Sequence, residues 1–215
     1  MLMIYFIDTH SGLMSFISTL LLVCITFWYA THTRRQADAS FKMFEQNQAE
    51  SRRLFQERES AKLNYIFLIN AEMLIHLNFF VNAVFYGSKG KQSFFNFLIG
   101  SQEQNIITLK RLTDKSLKDD SWRMIRGETA TLFKNDLMQD LVGYYAGISN
   151  SHLLTDPRVQ DNVFLNYIKG QLQAYFKVQA LLEKEAGREL RKQNSFILEG
   201  KRYSVDPQTG ELIDR

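Results

Sequence analysis

"LNYIFLINAEMLIHLNFFVNAVFY", residues 63–86, is the stretch whose reading decides the fold, because it is apolar and long enough either to cross a bilayer or to form the centre of a helical domain. Six polar residues choose between the two. Asn64, Asn70, Glu72, His76, Asn78 and Asn82 would each need a partner in hydrocarbon, where a mid-helix acid alone costs about 2.5–3.5 kcal/mol. At about 100° per residue Asn64 and Asn82 eclipse, Asn78 lies about 40° away, and Glu72 with His76 forms a separate patch about 100° from them. The spacing predicts the central helix of a bundle, surrounded on several sides. The rival reading is a second membrane span, which would throw the remaining chain to the other side.

Upstream, "GLMSFISTLLLVCITFWYATHTRR", residues 12–35, carries no charge until Arg34 and Arg35. A cleaved secretory signal needs a positive start, a shorter apolar core and small residues at the cut. No Lys or Arg precedes Arg34, and Phe27, Trp28 and Tyr29 crowd the region of Ala30. A lipoprotein site at Cys24 would need a small residue in place of Val23. A retained spanning helix over residues 11–33 fits better: it supplies the roughly 20 apolar residues a bilayer requires, with Trp28 and Tyr29 at interfacial depth. Basic residues lie only on its C-terminal side, Arg34, Arg35 and then Lys42, which predicts an outside N-terminus (residues 1–10) and a cytoplasmic remainder.

Composition agrees with a folded remainder. The chain has 215 residues, 45% hydrophobic and 13% aromatic, enough for one core. Its formal charge of +3 includes the arginine pair, and residues 36–215 are nearly balanced, which does not favour nucleic acid. The single cysteine, Cys24, can build neither a disulfide framework nor a metal site.

Neither proline nor glycine falls between Gly12 and Gly87, and Pro157 and Pro207 are the only prolines, so helix is uninterrupted over long distances. Residues 34–62 form a polar, amphipathic linker helix, in which Ala37, Phe41, Phe44, Gln48, Ser51 and Phe55 recur at the spacing of a coiled-coil seam. Gly87 to Lys91 breaks the helix and Ser93 offers the next cap; that helix divides or bends at Gly100-Ser101. Asp119-Asp120-Ser121 offers another cap, for one helix carrying Trp122, Ile125, Phe133, Leu137, Leu141 and Tyr144 to about Gly147. Asp156 and Pro157 start a long helix running to about Asn194, roughly 55 Å. The bundle domain is therefore residues 63–194. Residues 195–215 read as a β-hairpin around Gly200-Lys201 with a second turn at Pro207 to Gly210; two strands alone are marginal, so the element must lean on the helices or on a partner.

The candidate chemistry is thin. Glu72 and His76, one turn apart, could share a metal or a proton, but a metal needs three or four ligands and the other histidines, His10, His32 and His152, lie elsewhere; a hydrogen-bonded core pair is the simpler expectation. "GSKGKQS" at 87–93 has the wrong spacing for a phosphate loop and follows a helix, so it reads as a basic turn near a membrane. Ser151-His152 are loop neighbours without a nucleophile elbow, and Asp119-Asp120 read as solvated capping acids. Lys184, Arg188, Arg191 and Lys192 close the long helix, where cations complement the dipole, and with Lys201 and Arg202 could make a modest patch for an anionic partner. Trp122, Tyr144, Tyr145, Tyr167 and Tyr175 follow helical spacing and belong to the core.

The fold expected is all-α: a single-pass transmembrane helix, an amphipathic linker helix and a cytoplasmic helical bundle, with a small C-terminal hairpin. No catalytic, cofactor-binding or metal residue is assigned and no cofactor is expected. The layout suits many small bacterial inner-membrane proteins, and a layout alone is no warrant for function. The leading expectation is a non-enzymatic scaffold or signalling protein that contacts membrane lipid and binds a protein partner or a second copy of itself. The alternative is a membrane-perturbing effector of a phage-defence or toxin-like system, acting through oligomerising anchors; Ser15, Ser18 and Thr19 would permit close helix approach.

Overall fold

The computed structural model describes residues 2–100, 106–156, 158–193 and 195–214. The chain is mostly helical, with six α-helices and a three-stranded antiparallel sheet among the described residues: α1 (Leu2–Gly87), α2 (Lys91–Ile99), α3 (Ile106–Ser116), α4 (Asp120–Leu132), α5 (Asn135–Ser149), α6 (Asp161–Ala186), then β1 (Phe196–Leu198), β2 (Lys201–Val205) and β3 (Leu212–Asp214). A short 3-10 turn, Ser151–Thr155, precedes α6. The chain divides into two units, Met1–Glu57 and Arg58–Arg215.

The first unit is helix alone. Its described side chains, at positions 12, 13 and 15–57, are all exposed, the seam residues Phe41, Phe44 and Phe55 included. Hydroxyls within it bond back one turn, Thr19 to the Ser15 carbonyl (2.8 Å) and Thr26 to the Leu22 carbonyl (2.7 Å), so they ask for no partner beyond their own helix. The helix α1 is long and apolar enough to cross a membrane.

The second unit is built around the C-terminal part of α1. Ile66, Ile69, Met73, Leu77, Phe80, Val81 and Ala83 are completely buried, and residues 63–86 pack as a core helix, as the polar pattern predicts. The covering side chains include Phe94 of α2, Leu141 and Tyr144 of α5, and Phe164, Ile168, Leu172 and Tyr175 of α6. Where α5 meets α6, Gly147 packs against the end of the Gln171 side chain, which would have to move to admit a Cβ.

Several boundaries differ from the sequence expectation. The helix expected from Asp119 to Gly147 is two, α4 and α5, because Phe133 turns to an extended conformation (φ −96°, ψ 155°) and buries its ring; Arg58 donates to the Thr131 carbonyl exposed by that break (2.5 Å). Ser93 lies inside α2 and donates to the Lys89 carbonyl instead of capping. The start expected at Asp156 is a turn: its carboxylate accepts the Arg158 amide (2.9 Å) and α6 begins only at Asp161, while Pro157 lies outside the described residues. Gly187, left-handed at φ 66°, ends α6 at Ala186, so the helix is about 39 Å long instead of about 55 Å.

The tail holds three strands where two were expected. β1 pairs β2 (Phe196 with Tyr203) across a tight turn in which Glu199 and Gly200 both have positive φ, and β2 pairs β3 (Val205 with Leu212). The third strand was hidden because Leu212 and Ile213 alone carry no alternating pattern. The sheet leans on the helices as required. Lys169 pairs with Glu211 (2.8 Å), Gln173 donates to the Gln208 carbonyl, Lys89 pairs with Glu199 (2.8 Å), and the Tyr203 ring lies 5.3 Å from that of Phe85. At Gly210 (φ 69°) a Cβ would meet the Lys169 carbonyl oxygen at 2.7 Å, so backbone touches backbone there.

Candidate functional site

Within the interior a cluster of polar side chains surrounds His76. Helix periodicity sets Glu72 and His76 one turn apart on α1, and packing of α5 brings Tyr144 and Tyr145 beside them. Glu72 is 8% and His76 1% exposed. The two residues take their hydrogen bonds in different places. Glu72 Oε2 accepts the backbone N–H of Ser121 (2.7 Å), so a carboxylate from α1 caps the first turn of α4, where the helix dipole favours negative charge. Asp119, the cap expected from sequence, accepts Nε of Arg123 (2.8 Å) instead.

His76 bridges two elements. Its Nε2 lies 2.6 Å from the Lys118 carbonyl, which can only accept, so Nε2 carries the proton; Nδ1, 3.0 Å from the Tyr144 hydroxyl, then accepts from that phenol. This arrangement suits the neutral imidazole. Burial holds the imidazole below its ordinary value, opposed by the Lys118 carbonyl and by the charges of Glu72 and Asp119. Burial likewise pushes the Tyr144 and Tyr145 phenols well above their ordinary range. Trp122 stacks on Tyr145, ring centroids 5.0 Å apart and planes 3° from parallel. Glu72 ties α1 to α4, and His76 ties it to the turn before α4 and to α5, so the cluster works as a structural clasp; among the described residues no group of three or more His, Cys, Asp or Glu is placed to hold a metal ion.

The other sequence candidates scatter. Lys91, expected in a basic turn at a membrane, is buried, and its ammonium donates to the carbonyls of Asp156 (2.5 Å) and Val159 (3.2 Å), pinning the turn before α6. That burial lowers its pKa, against the charges of Asp156 and Asp161. Lys89 is engaged by Glu199 and lies over the Phe85 ring (4.4 Å). Ser151 is buried in the 3-10 turn, and the side chains of His10 and His152 lie outside the described residues; His32 is exposed, its ring 5.4 Å from that of Trp28. Trp122, Tyr144, Tyr145 and Tyr175 are core, and half-buried Tyr167 donates to the Gly147 carbonyl, burial raising its phenol to about 12.

Of the basic run, Lys184 lies in the last turn of α6, whereas Arg188, Arg191 and Lys192 follow its end at Ala186. Arg188 lies 4.5 Å over the Phe67 ring, the Arg191 carbonyl accepts from Asn70 Nδ2 (3.3 Å), and Lys192 pairs with Glu183 (2.8 Å), so residues 187–193 are strapped along α1. Sequence reasoning missed this strap and the junction at Glu185, a buried acid bridged to Lys62 (2.6 Å) and Lys134 (3.6 Å). Gly187 was the signal for the first; the second pairs residues too far apart in sequence to be seen.

No family model, curated protein or solved structure matches this chain. Its function must be argued from the two units themselves.

Proposed function

We propose that this is a membrane-anchored, non-enzymatic helical protein whose compact unit works at the cytoplasmic face of a prokaryotic inner membrane as a scaffold or signalling element, binding a protein partner or a second copy. Residues 11–33 would span the bilayer, with the N-terminus outside. One observation supports this above others: apolar Leu20, Leu21, Leu22, Val23 and Ile25 are all exposed, a display that water disfavours and lipid welcomes, whereas the second apolar stretch of α1 is covered by protein. The polar residues inside the compact unit support a non-enzymatic role, because Glu72, His76 and Lys91 are each committed to holding elements together.

Carbonate extraction combined with protease accessibility of a C-terminal tag in spheroplasts tests the reading. The expected result is a chain that stays with the membrane, tail protected until detergent is added, and that yields crosslinked complexes. A tail digested from outside, a mature product beginning after residue 30, or monomer alone under every crosslinking condition overturns it. Collapse of the membrane potential on overexpression would point to a bilayer-perturbing effector instead.

A further inference from the structure

Three depressions in the compact unit converge on one face of α1. The largest, about 530 Å³, lies between Phe67, Ala71, Ile75 and Asn78 and residues 191–193 of the strap. A second, about 290 Å³, runs from Ala71 and Ile75 to Lys115 and Lys118 at the end of α3. The third, about 270 Å³, continues from Ile75 and Asn78 to Phe97 of α2. Ile75 belongs to all three and is 59% exposed; Phe67 is 40% exposed. Phe67, Ala71, Ile75 and Asn78 are spaced by 4, 4 and 3, so they form one strip of helix surface about 16 Å long. It is an apolar floor left open on a helix whose other faces are buried.

Charge says what covers it. On one bank, residues 187–193 carry Arg188, Arg191 and Lys192 against Glu189 alone; on the other, residues 110–118 carry Lys110, Arg111, Lys115 and Lys118 against Asp114 alone. Arg191 and Lys192 line the first depression, Lys115 and Lys118 the second. Of the acids nearby, Glu183 is paired with Lys192, Asp120 with Lys118 (3.6 Å), and Glu72 is buried beneath and bonded to Ser121. The groove thus has Phe67, Ala71 and Ile75 along its floor with Asn78 at one end, and each bank holds one lining cation outside these pairs, Arg191 on one and Lys115 on the other.

We propose that it binds an acidic amphipathic helix of a protein partner, the helix seating apolar residues at Ile75 and Phe67 and presenting carboxylates to the two banks. This rests on the partner-binding reading above and says where and with what chemistry it happens. A helix of about 10–12 Å diameter suits a concave strip of this length. A flat bilayer surface would reach the banks and leave the floor uncovered. This chain's own exposed seam, around Phe41, Phe44 and Phe55, interleaves Lys42, Arg52 and Arg53 with Asp38, Glu45, Glu50 and Glu57, so it would bring cations against the two positive banks as well as acids.

The test uses the full chain in phosphatidylcholine nanodiscs and a fluorescent helical peptide of about 18 residues with leucines along one face and glutamates beside them, set against the same peptide with lysines for glutamates. Anisotropy should show the acidic peptide binding at least about tenfold more tightly, and weakening as salt rises from about 50 to about 300 mM. Ile75→Glu, with an unchanged circular dichroism spectrum, should weaken it about tenfold or more; the surface double variant Lys115→Glu/Arg191→Glu should do the same without touching the floor. Equal binding of the two peptides, or binding unchanged in both variants, overturns the proposal. So does binding of phosphatidylglycerol vesicles that Ile75→Glu abolishes while the acidic peptide fails to bind, or a photocrosslinker at position 75 that captures only second copies of this chain. Failure here with the chain still membrane-bound in crosslinked complexes leaves the anchor reading standing, whereas a chain recovered in the soluble fraction ends that reading whatever the peptides do.

Discussion

Two apolar stretches of similar length lie on the same helix, residues 12–31 and residues 63–86, and they meet opposite fates. In the first, Phe16, Leu22 and Trp28 are exposed; in the second, Ile69, Met73, Leu77 and Phe80 are completely covered. Hydrophobicity does not separate them. What does is the demand of their polar groups. The first holds hydroxyls that return to their own helix, whereas the second holds Asn70, Glu72 and His76, which bond the Arg191 carbonyl, the Ser121 amide, and the Lys118 carbonyl with the Tyr144 hydroxyl. A segment whose polar groups need outside partners must be surrounded by protein, and one whose polar groups need none is free to be surrounded by lipid.

The contrast can be broken most severely in the core. Phe80→Ala should cost about 3–5 kcal/mol, read as a shift in urea midpoint for the full chain in non-ionic detergent, while Phe16→Ala leaves that midpoint where it was. An equal shift for both would erase the distinction. Next, Leu22→Arg should oppose membrane insertion by about 2.5–3.5 kcal/mol, moving chain from the membrane to the soluble or degraded fraction with the compact unit still resistant to protease.

A smaller effect is expected at the clasp. Glu72→Ala leaves the Ser121 amide without its acceptor and should cost about 1–3 kcal/mol, with Glu72→Gln costing less because an acceptor remains; equal losses would show that charge, not hydrogen bonding, is what α4 requires. The smallest concerns pH. Because burial lowers the His76 pKa below its ordinary 6.5, the unfolded chain binds the proton more readily; stability is present in full above pH 6.5 and is lost as pH falls from there through the lowered folded value. Of the groups facing this ring, the charges of Glu72 and Asp119 oppose the shift, and the Tyr144 and Tyr145 phenols are pushed far above that window. His76→Gln should flatten the decline, measured as denaturation midpoints between about pH 7 and about pH 5.

The sequence was most legible where signals are local. The absence of Gly and Pro between Gly12 and Gly87 predicts the long α1, and the polar pattern of 63–86 predicts a core helix. It was least legible where one segment completes another: Asp119 looked like the cap of α4, and the cap came from Glu72 in α1; Lys91 looked like a surface cation, and it holds the turn before α6. The break at Phe133 escaped notice because that ring fits the helical spacing of Trp122 and Leu137 whether or not the helix is continuous.

By itself, then, the order of residues determined that this protein is mostly helical, that its apolar mass falls in an exposed front segment and a covered middle one, and that Trp122, Tyr144, Tyr145 and Tyr175 belong inside. Those properties follow from periods of three to four residues and from helix breakers, which act over one or two turns. Tertiary structure alone decided that Glu72 would cap α4, that His76 would clasp α5 to the turn before α4, that a third strand would join the tail, and that one strip of α1 from Phe67 to Asn78 would stay uncovered between two basic banks. Such pairings join residues tens of positions apart, and their energy depends on which surfaces remove which polar groups from water, a condition that no local pattern encodes.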